Sequence, residues 1–387
     1  MERNYAMDWL RIGAFGLLIL YHVGMVFVPW DFHVKTAHPA AWVEVPMLLT
    51  NSWRLGLLFL VSGYASRAML ARSPGVARFL GQRSARLMLP LLFGMAVIVP
   101  PQSWVQLVTQ HGYAQGFGWF YLHDYFAARP IAGVMLPTWN HLWFLAYLWD
   151  YTLLLGLLLV LPWPSAMQRG FDRLFSGAGV VWIPLGWLFL FQVLVFRRRD
   201  ELHDLVHDGV AHIAYLSFFL FGFGLAGSPA ARAALARRWR ALAVAALASY
   251  AVVGGIVGAY TTEGEWSRAL GWTFRVAREI QTWTSMAALI GLAERFWNQD
   301  HRWRPMLAEA VFPAYIIHQT VIVLGEYALQ PLALPALAEF AILVAATATG
   351  CASFYLLGRE IAPLRPLIGL KLGVAARTSA AKQATAA

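Results

Sequence analysis

Ionisable side chains inside long apolar stretches are the residues of this sequence best placed to do chemistry. A charged group in hydrocarbon costs roughly 2.5–3.5 kcal/mol on insertion scales, so each one found there calls for a functional explanation. Six such groups lie within the apolar stretches or near their ends: His22, Arg54, His141, Asp150, Glu279 and His318. An imidazole with a pKa of about 6.5 is neutral yet basic, which suits His22 to take a proton from an attacking hydroxyl.

The spacing of Arg11 and His22 adds to this interpretation. Eleven residues separate them, close to three helical turns, so both side chains project from one helix face about 16 Å apart. Such a face suits a long substrate whose anionic end stays at the membrane edge. Asp8, one turn before Arg11, is expected to cap this helix, because its carboxylate can accept from free amides. The alternative for a lone histidine on an apolar face is a structural hydrogen bond.

Transmembrane helices are the elements that would position these residues. Of the 387 residues, 59% are hydrophobic and 13% are charged, whereas roughly 25% of a soluble domain is charged. We therefore expect an all-α integral membrane protein with about ten helices long enough to cross a core of about 30 Å, as one domain over 1–371 with a disordered cytoplasmic tail over 372–387. The ten stretches are 11–30, 53–71, 87–105, 141–161, 179–196, 210–227, 240–260, 272–292, 308–328 and 335–358.

The basic residues predict the orientation in the membrane. The net charge is +10, and if the N-terminus is cytoplasmic, 21 of the 30 basic residues lie on the inside, as the positive-inside rule requires. Both termini are therefore expected in the cytoplasm, and the charge indicates orientation rather than nucleic-acid binding. The run 197–204 is an exception, since it falls outside. Segment 106–140, rich in aromatic residues, also falls outside, as a cap over a site or as an aromatic belt.

Five stretches, in order across about 310 residues, resemble acyltransferase family 3, a family of membrane O-acyltransferases. They are the basic-x10-His pair Arg11 and His22, then Trp53–Gly63, Phe79–Pro90 with its Arg-x-x-Arg element, His141–Leu145 and Glu309–Gln319. The last stretch is similar to a branch associated with succinylating periplasmic glucans. The resemblance implies a ten-helix bundle in the cell inner membrane. It also implies transfer of an acyl group from cytoplasmic acyl-coenzyme A, either succinyl- or acetyl-coenzyme A, to a hydroxyl acceptor outside.

The resemblance also suggests roles for individual residues on the donor side. His22 would be the general base of a direct transfer, and a ping-pong reaction through an acylated His22 or Ser62 is the alternative. Ser62 with its following glycine is equally typical of close helix packing. The Arg-x-x-Arg residues Arg83 and Arg86, together with Arg11, are expected to bind the phosphates of coenzyme A, because guanidinium groups bind phosphate bidentately. Anchoring of the loops inside is the alternative for these arginines.

The remaining candidates concern proton transfer and the acceptor. His318 and Asp150 are catalytic candidates that could orient His22 or shuttle its proton, and a structural polar pair is the alternative for Asp150. Glu279 is expected to form a structural i,i+4 pair with Arg275. The substrate-binding candidates are Arg54, Ser62, His141, Trp143 and Tyr315. Arg54 could bind the acceptor or a succinyl carboxylate.

The expected partners follow from these roles. They are acyl-coenzyme A as co-substrate, a carbohydrate acceptor such as a periplasmic glucan, and membrane lipid, and no metal is expected. A rival hypothesis is a proton-coupled transporter or flippase of an anionic or lipid-linked solute, with His22, Asp150 and His318 as its relay. A third is a protein that binds lipid or sugar without turnover. The identity of the acyl group, the acceptor and the oligomeric state stay open at this point.

Overall fold

The structure is a computed structural model that describes residues 4–161, 164–195, 202, 204–260 and 266–371. The tail expected over 372–387 and most of the basic run 197–204 lie outside the described residues. Within the described residues the chain is mainly helical. The helices are α1 (Tyr5–Gly24), α2 (Glu44–Asn51), α3 (Arg54–Leu70), α4 (Val76–Phe93), α5 (Pro100–His111), α6 (Phe117–Trp119), α7 (Trp143–Val160), α8 (Pro164–Phe175), α9 (Gly179–Leu188), α10 (Gly209–Ala226), α11 (Pro229–Ala259), α12 (Arg268–Phe296), α13 (Arg304–Leu329), α14 (Ala336–Gly358) and α15 (Leu364–Leu367).

Shorter elements lie between these helices. Single 3₁₀ turns occupy Ala41–Val43, Asn140–Leu142 and Gln330–Leu332, and π-helical turns occupy Gly94–Ile98, Phe120–Asp124 and Phe189–Val195. Strands β1 (Pro130–Ile131) and β2 (Val134–Met135) form an antiparallel hairpin, with Pro130 opposite Met135 and Ile131 opposite Val134.

Apolar helices of spanning length confirm the all-α membrane class. Among the described residues seven helices pass this test, or nine if each of two bent pairs is one span. The expected stretch 272–292 lies within α12, a helix that is not among them. Its charged side chains, including Arg275, Arg278 and Glu279, keep the helix too polar. The stretch 87–105 covers a pair that bends by 42° between 76–98 and 100–111.

The described chain divides into two compact units. The first unit comprises Met1–Leu18, Ala41–Gly81 and Asp150–Ala308, and the second unit comprises Ile19–Ala40, Gln82–Trp149 and Glu309–Ala387. Four helices, α1, α4, α7 and α13, contribute residues to both.

Glycine lets helices approach closely in the first unit. A Cβ at Gly63 of α3 would lie 1.8 Å from the carbonyl oxygen of Phe219 in α10, and a Cβ at Gly222 would lie 1.9 Å from that of Leu60. The two backbones are therefore in direct contact. This geometry is the close-packing arrangement that small residues permit between membrane helices.

The start of α1 differs from the expectation for Asp8. Asn4 caps the helix, because its Oδ1 accepts from the amide of Met7 at 3.4 Å. Asp8 instead accepts from buried Arg304 at 2.7 Å, and Arg304 also donates to Asp300 at 2.7 Å. The expectation of Asp8 as N-cap was therefore wrong, since a nearly enclosed guanidinium distant in sequence has a stronger need for that carboxylate.

Candidate active site

Three histidines of the second unit lie together. His22 is near the end of α1, His141 is in the 3₁₀ turn that leads into α7, and His318 is in the middle of α13. The ring centroids of His22 and His318 are 5.0 Å apart, as are those of His141 and His318. His318 is thus the central ring of a row of three imidazoles.

Hydrogen bonds determine the tautomers along this row. Nδ1 of His318 lies 2.6 Å from the carbonyl oxygen of Tyr315, and a carbonyl can only accept, so this nitrogen carries the proton in neutral His318. Nε2 of His318 is then an acceptor, and it lies 3.3 Å from Nδ1 of His22. Nδ1–H of His22 donates to it. The basic lone pair of neutral His22 is therefore on Nε2.

His141 and Tyr315 are held by backbone groups of the same cluster. Nε2–H of His141 donates to the carbonyl of Ile316 at 3.0 Å, and the Tyr315 hydroxyl donates to the carbonyl of His141 at 2.5 Å. Nδ1 of His141 is buried and has no hydrogen-bond partner among the described residues. A buried acceptor left in this state is costly unless a bound molecule satisfies it.

Two ring nitrogens of the histidine row face backbone carbonyl oxygens. Among the described residues no group of three or more His, Cys, Asp or Glu side chains is placed to hold a metal ion. The hydrogen bonds explain this for the row itself, because Nδ1 of His318 and Nε2 of His141 both face carbonyl oxygens.

Sequence reasoning missed a cluster of buried amides beside His318. Gln102 donates to the hydroxyl of Thr320 at 2.7 Å, and its Oε1 accepts from Gln319 and from Asn140, each at 3.1 Å. Thr320 donates in turn to the carbonyl of Ile98 at 2.8 Å. A search for polar amides as well as charges within the apolar stretches would have found Gln102 and Gln319.

The segment after α1 folds back over His22. The rings of Phe32 and His22 are 6.4 Å apart. His33 hydrogen-bonds to Gln106 at 2.6 Å, and burial lowers the pKa of His33. Lys35 donates to the carbonyls of Met25 and Val28 at 2.7 and 2.6 Å. Burial lowers the pKa of Lys35 to about 8.

An aromatic wall continues from this segment. Trp104 contacts Tyr327 and Phe117 edge to face, with centroids 5.6 and 5.9 Å apart. The Tyr113 hydroxyl donates to Asp124 at 2.5 Å, and burial together with this bond raises the pKa of Tyr113 to about 12. The same bond lowers the pKa of Asp124. The segment expected as a cap or a belt is thus a folded part of the second unit.

The candidate donor arginines are on α4 and α1. Arg83 and Arg86 are three residues apart on α4, so they share a helix face. Arg83 is buried and Arg86 half-buried. Arg11 lies in the first unit, where it donates to the carbonyl of Ala308 at 3.2 Å and pairs with Asp8 at 3.6 Å.

The structure brings His22, His141, Tyr315 and His318 together within the second unit. Trp143 is a buried residue of the second unit, 5.0 Å from the ring of Tyr147. Arg54, Ser62 and Asp150 belong to the first unit. Arg54 donates to the carbonyl of Asn51 at 2.8 Å, and the electrostatic neighbour of Asp150 is His212. The electrostatic neighbour of Glu279 is Arg278, and Arg275 lies over the ring of Trp272.

Comparison with known proteins identifies the class. The family model described as an acyltransferase domain matches residues 4–356, so the chain belongs to this acyltransferase family. The chain is also similar to glucans biosynthesis protein C of Escherichia coli O1:K1, of strain O139:H28 and of strain O9:H4, at 27% identity over 147 residues in each case. These matches cover 38% of this chain and 36% of the relatives. No solved structure matches.

Proposed function

We propose that this protein is a membrane O-acyltransferase that moves a short acyl group, succinyl or acetyl, from acyl-coenzyme A to a hydroxyl of an envelope or periplasmic glucan. His22 is its general base. The observation that carries the proposal is the contact between Nε2 of His318 and Nδ1 of His22 at 3.3 Å, because it leaves the lone pair of His22 on Nε2. Family membership supports the acyl transfer, and the name of the relatives supports a glucan acceptor.

The proposed reaction needs one base and no covalent enzyme intermediate. The hydroxyl oxygen of the acceptor attacks the thioester carbonyl carbon, and its proton passes to Nε2 of His22. Collapse of the tetrahedral intermediate breaks the carbon–sulfur bond. The proton on His22 then passes to the leaving thiolate, so that coenzyme A departs as the thiol and His22 is neutral again.

His318 is the proposed positioning residue for His22. When His22 takes the proton it becomes a cation, and its Nδ1–H bond to the neutral nitrogen of His318 becomes charge-assisted and therefore stronger. The Tyr315 carbonyl keeps His318 in the required tautomer. This series of hydrogen bonds orients His22 as a carboxylate orients the histidine of a hydrolase triad, with an imidazole in place of the carboxylate.

Acceptor binding is proposed for the other members of the cluster. The buried Nδ1 of His141 is an acceptor without a partner, and a substrate hydroxyl would satisfy it. Tyr315 fixes His141 through its hydroxyl. Trp143, Arg54 and Ser62 stay candidates from the sequence. On the donor side, Arg83 and Arg86 are proposed to bind the phosphates of coenzyme A, and Arg11 stays a candidate from the sequence for the same role.

The test is transfer by the purified protein. Succinyl- or acetyl-coenzyme A is incubated with periplasmic glucan, and both the released thiol and the mass increment on the glucan are measured. His22→Gln should lower the rate at least about 100-fold, the lower end of what a general base contributes. His38→Ala, which removes an exposed histidine of the same unit, is the matched control. Equal rates for His22→Gln and the parent would overturn the assignment.

The row of three imidazoles would also suit a proton relay, which is the observation that favours the alternative hypothesis of a transporter. In that case the protein in sealed vesicles would move an anionic or lipid-linked solute in response to a pH gradient, without consuming acyl-coenzyme A. Coenzyme A binding that weakens in Arg83→Ala or Arg86→Ala, together with no solute uptake, favours the enzyme.

A further inference from the structure

The first unit contains a large apolar cleft that the proposed transfer reaction does not use. Its volume is about 940 Å³, within the range of roughly 300–1,000 Å³ typical of ligand sites. Residues from six helices line it: α3, α7, α8, α9, α10 and α12. Leucine and aromatic side chains such as Leu155, Phe221 and Trp283 form most of its wall.

The cleft is bounded by a helix with the properties of an interfacial element. Helix α8 has phenylalanines at 171 and 175 on its cleft side and the charged residues Arg169, Asp172 and Arg173 along its length. The segments 165–175 and 179–194 meet at 98°. If the second of them crosses the membrane, α8 lies along the membrane surface, which is the position that such amphipathic helices prefer.

Two cationic residues are part of the lining of the cleft. Arg67 and Arg169 are both lining residues. Arg67 donates to Oε1 of Gln168 at 2.7 Å, and its guanidinium lies 5.0 Å from the centroid of Phe223. Gln168 also donates to Asp172 at 3.0 Å. Two cations and one nearby anion leave this polar part of the lining positive, while the rest of the wall is apolar.

This combination points to a ligand with two chemically different parts. A free phosphate would satisfy the arginines but would leave the apolar wall exposed, whereas a neutral hydrocarbon would leave the arginines without a function. We propose that the cleft binds one anionic glycerophospholipid of the bilayer. An acyl chain occupies the apolar interior, and the headgroup phosphate lies against Arg169 and Arg67, which can bind phosphate bidentately.

The first experiment is lipid retention by the full-length protein. The protein is reconstituted with equal amounts of phosphatidylglycerol and phosphatidylcholine of identical chains, extracted in mild detergent, and analysed by native mass spectrometry. The parent should retain one phosphatidylglycerol in preference to phosphatidylcholine. Arg169→Gln should lower this preference about fivefold, which corresponds to the loss of one basic residue near a charged lipid surface.

Arg173→Gln is the matched control, because Arg173 is an exposed arginine of the same helix that does not line the cleft. It should leave the preference unchanged. A second variant, Ala71→Trp, places a large side chain at an exposed lining residue of the cleft. It should reduce retention of both lipids, since it fills part of the cleft whatever the headgroup is.

Equal lipid retention by the parent, Arg169→Gln and Ala71→Trp would overturn the proposal, because lipid would then be held only on the general protein surface. Displacement of the lipid by palmitoyl-coenzyme A but not by excess phosphatidylglycerol would also overturn it, since the cleft would then be a donor site. Neither result depends on transfer activity, so failure here leaves the proposed reaction untouched.

Discussion

The elements inside each of the two units are held together by different interactions. In the first unit, α3 and α10 meet backbone to backbone at Gly63 and Gly222. In the second unit, side-chain hydrogen bonds join the elements, as between Gln102 and Thr320 or His22 and His318. The buried histidines His141 and His318 both belong to the second unit, and buried ionisable groups are expensive in a membrane, so this cluster marks that unit as the chemical one. The first unit is expected to be most sensitive to added side-chain volume at its glycine contacts.

The largest effect on stability is expected where two helix backbones leave no room for a side chain. Gly63→Leu adds a side chain whose first carbon would lie 1.8 Å from a backbone oxygen. Because backbone cannot move aside as a flexible side chain can, we expect a destabilisation above about 3 kcal/mol, the upper end for overpacking. The measurement is the yield of monodisperse protein in detergent and its thermal unfolding.

Gly13→Leu is the matched control for Gly63→Leu. Gly13 is an exposed helical glycine, and a Cβ there has no heavy atom within 4 Å. This variant should purify as the parent does. If Gly63→Leu also eluted and melted like the parent, close packing through glycine would not be what holds α3 to α10.

The second effect concerns activity rather than folding. His318→Ala removes the acceptor that fixes the tautomer of His22, so transfer should fall about 100-fold, as expected for an impaired general base. His318→Gln should recover part of the rate, because its carbonyl oxygen can accept the same N–H. The rates and their pH profiles are measured with the purified protein. A purely structural role would lower the melting temperature of both variants and leave the pH profile of the surviving activity unchanged.

Some residues of the candidate site could be predicted from the sequence and others could not. His22 and His318 were identifiable because ionisable groups are conspicuous in apolar stretches. Gln102 was not among the candidates, since an amide carries no charge and charge was the signal that marked the other residues. The pair of Asp8 and Arg304 was also missed, because a local capping rule does not anticipate a partner 296 residues away.

The number of membrane-spanning helices could be predicted only in part, for a similar reason. Composition predicts where the chain is apolar, and each of the ten expected stretches overlaps a helix of the structure. It does not predict whether a break bends one span into two elements, as between α4 and α5. Nor does it predict how the residues are shared out, since α1 contributes Arg11 to one unit and His22 to the other.

A smaller effect is expected from the amide cluster. Gln102→Leu removes the partner of Thr320, Gln319 and Asn140 at once. Leaving buried polar groups unsatisfied should destabilise the protein by about 1–3 kcal/mol, which is measured as a shift of thermal unfolding. Gln115→Leu, at an exposed position shortly after the same helix, is the control and should shift it less. Equal shifts would mean that the cluster contributes no more than a surface amide does.

The smallest expected effect is on the pH dependence of stability, and it concerns the segment that covers His22. Burial lowers the pKa of Lys35 to about 8, against about 10.4 in an unfolded chain. Between these values the unfolded state binds the proton and the folded state does not, so stability rises with pH across this window. Lys35→Met removes that dependence. The melting temperature of the parent should therefore gain on that of the variant between about pH 8 and about pH 10.4. Lys371→Met, which removes an exposed lysine of the same unit, controls for the lost charge. A constant difference between parent and Lys35→Met at all pH values would show that Lys35 is solvated, and that the fold over His22 does not depend on a buried amine.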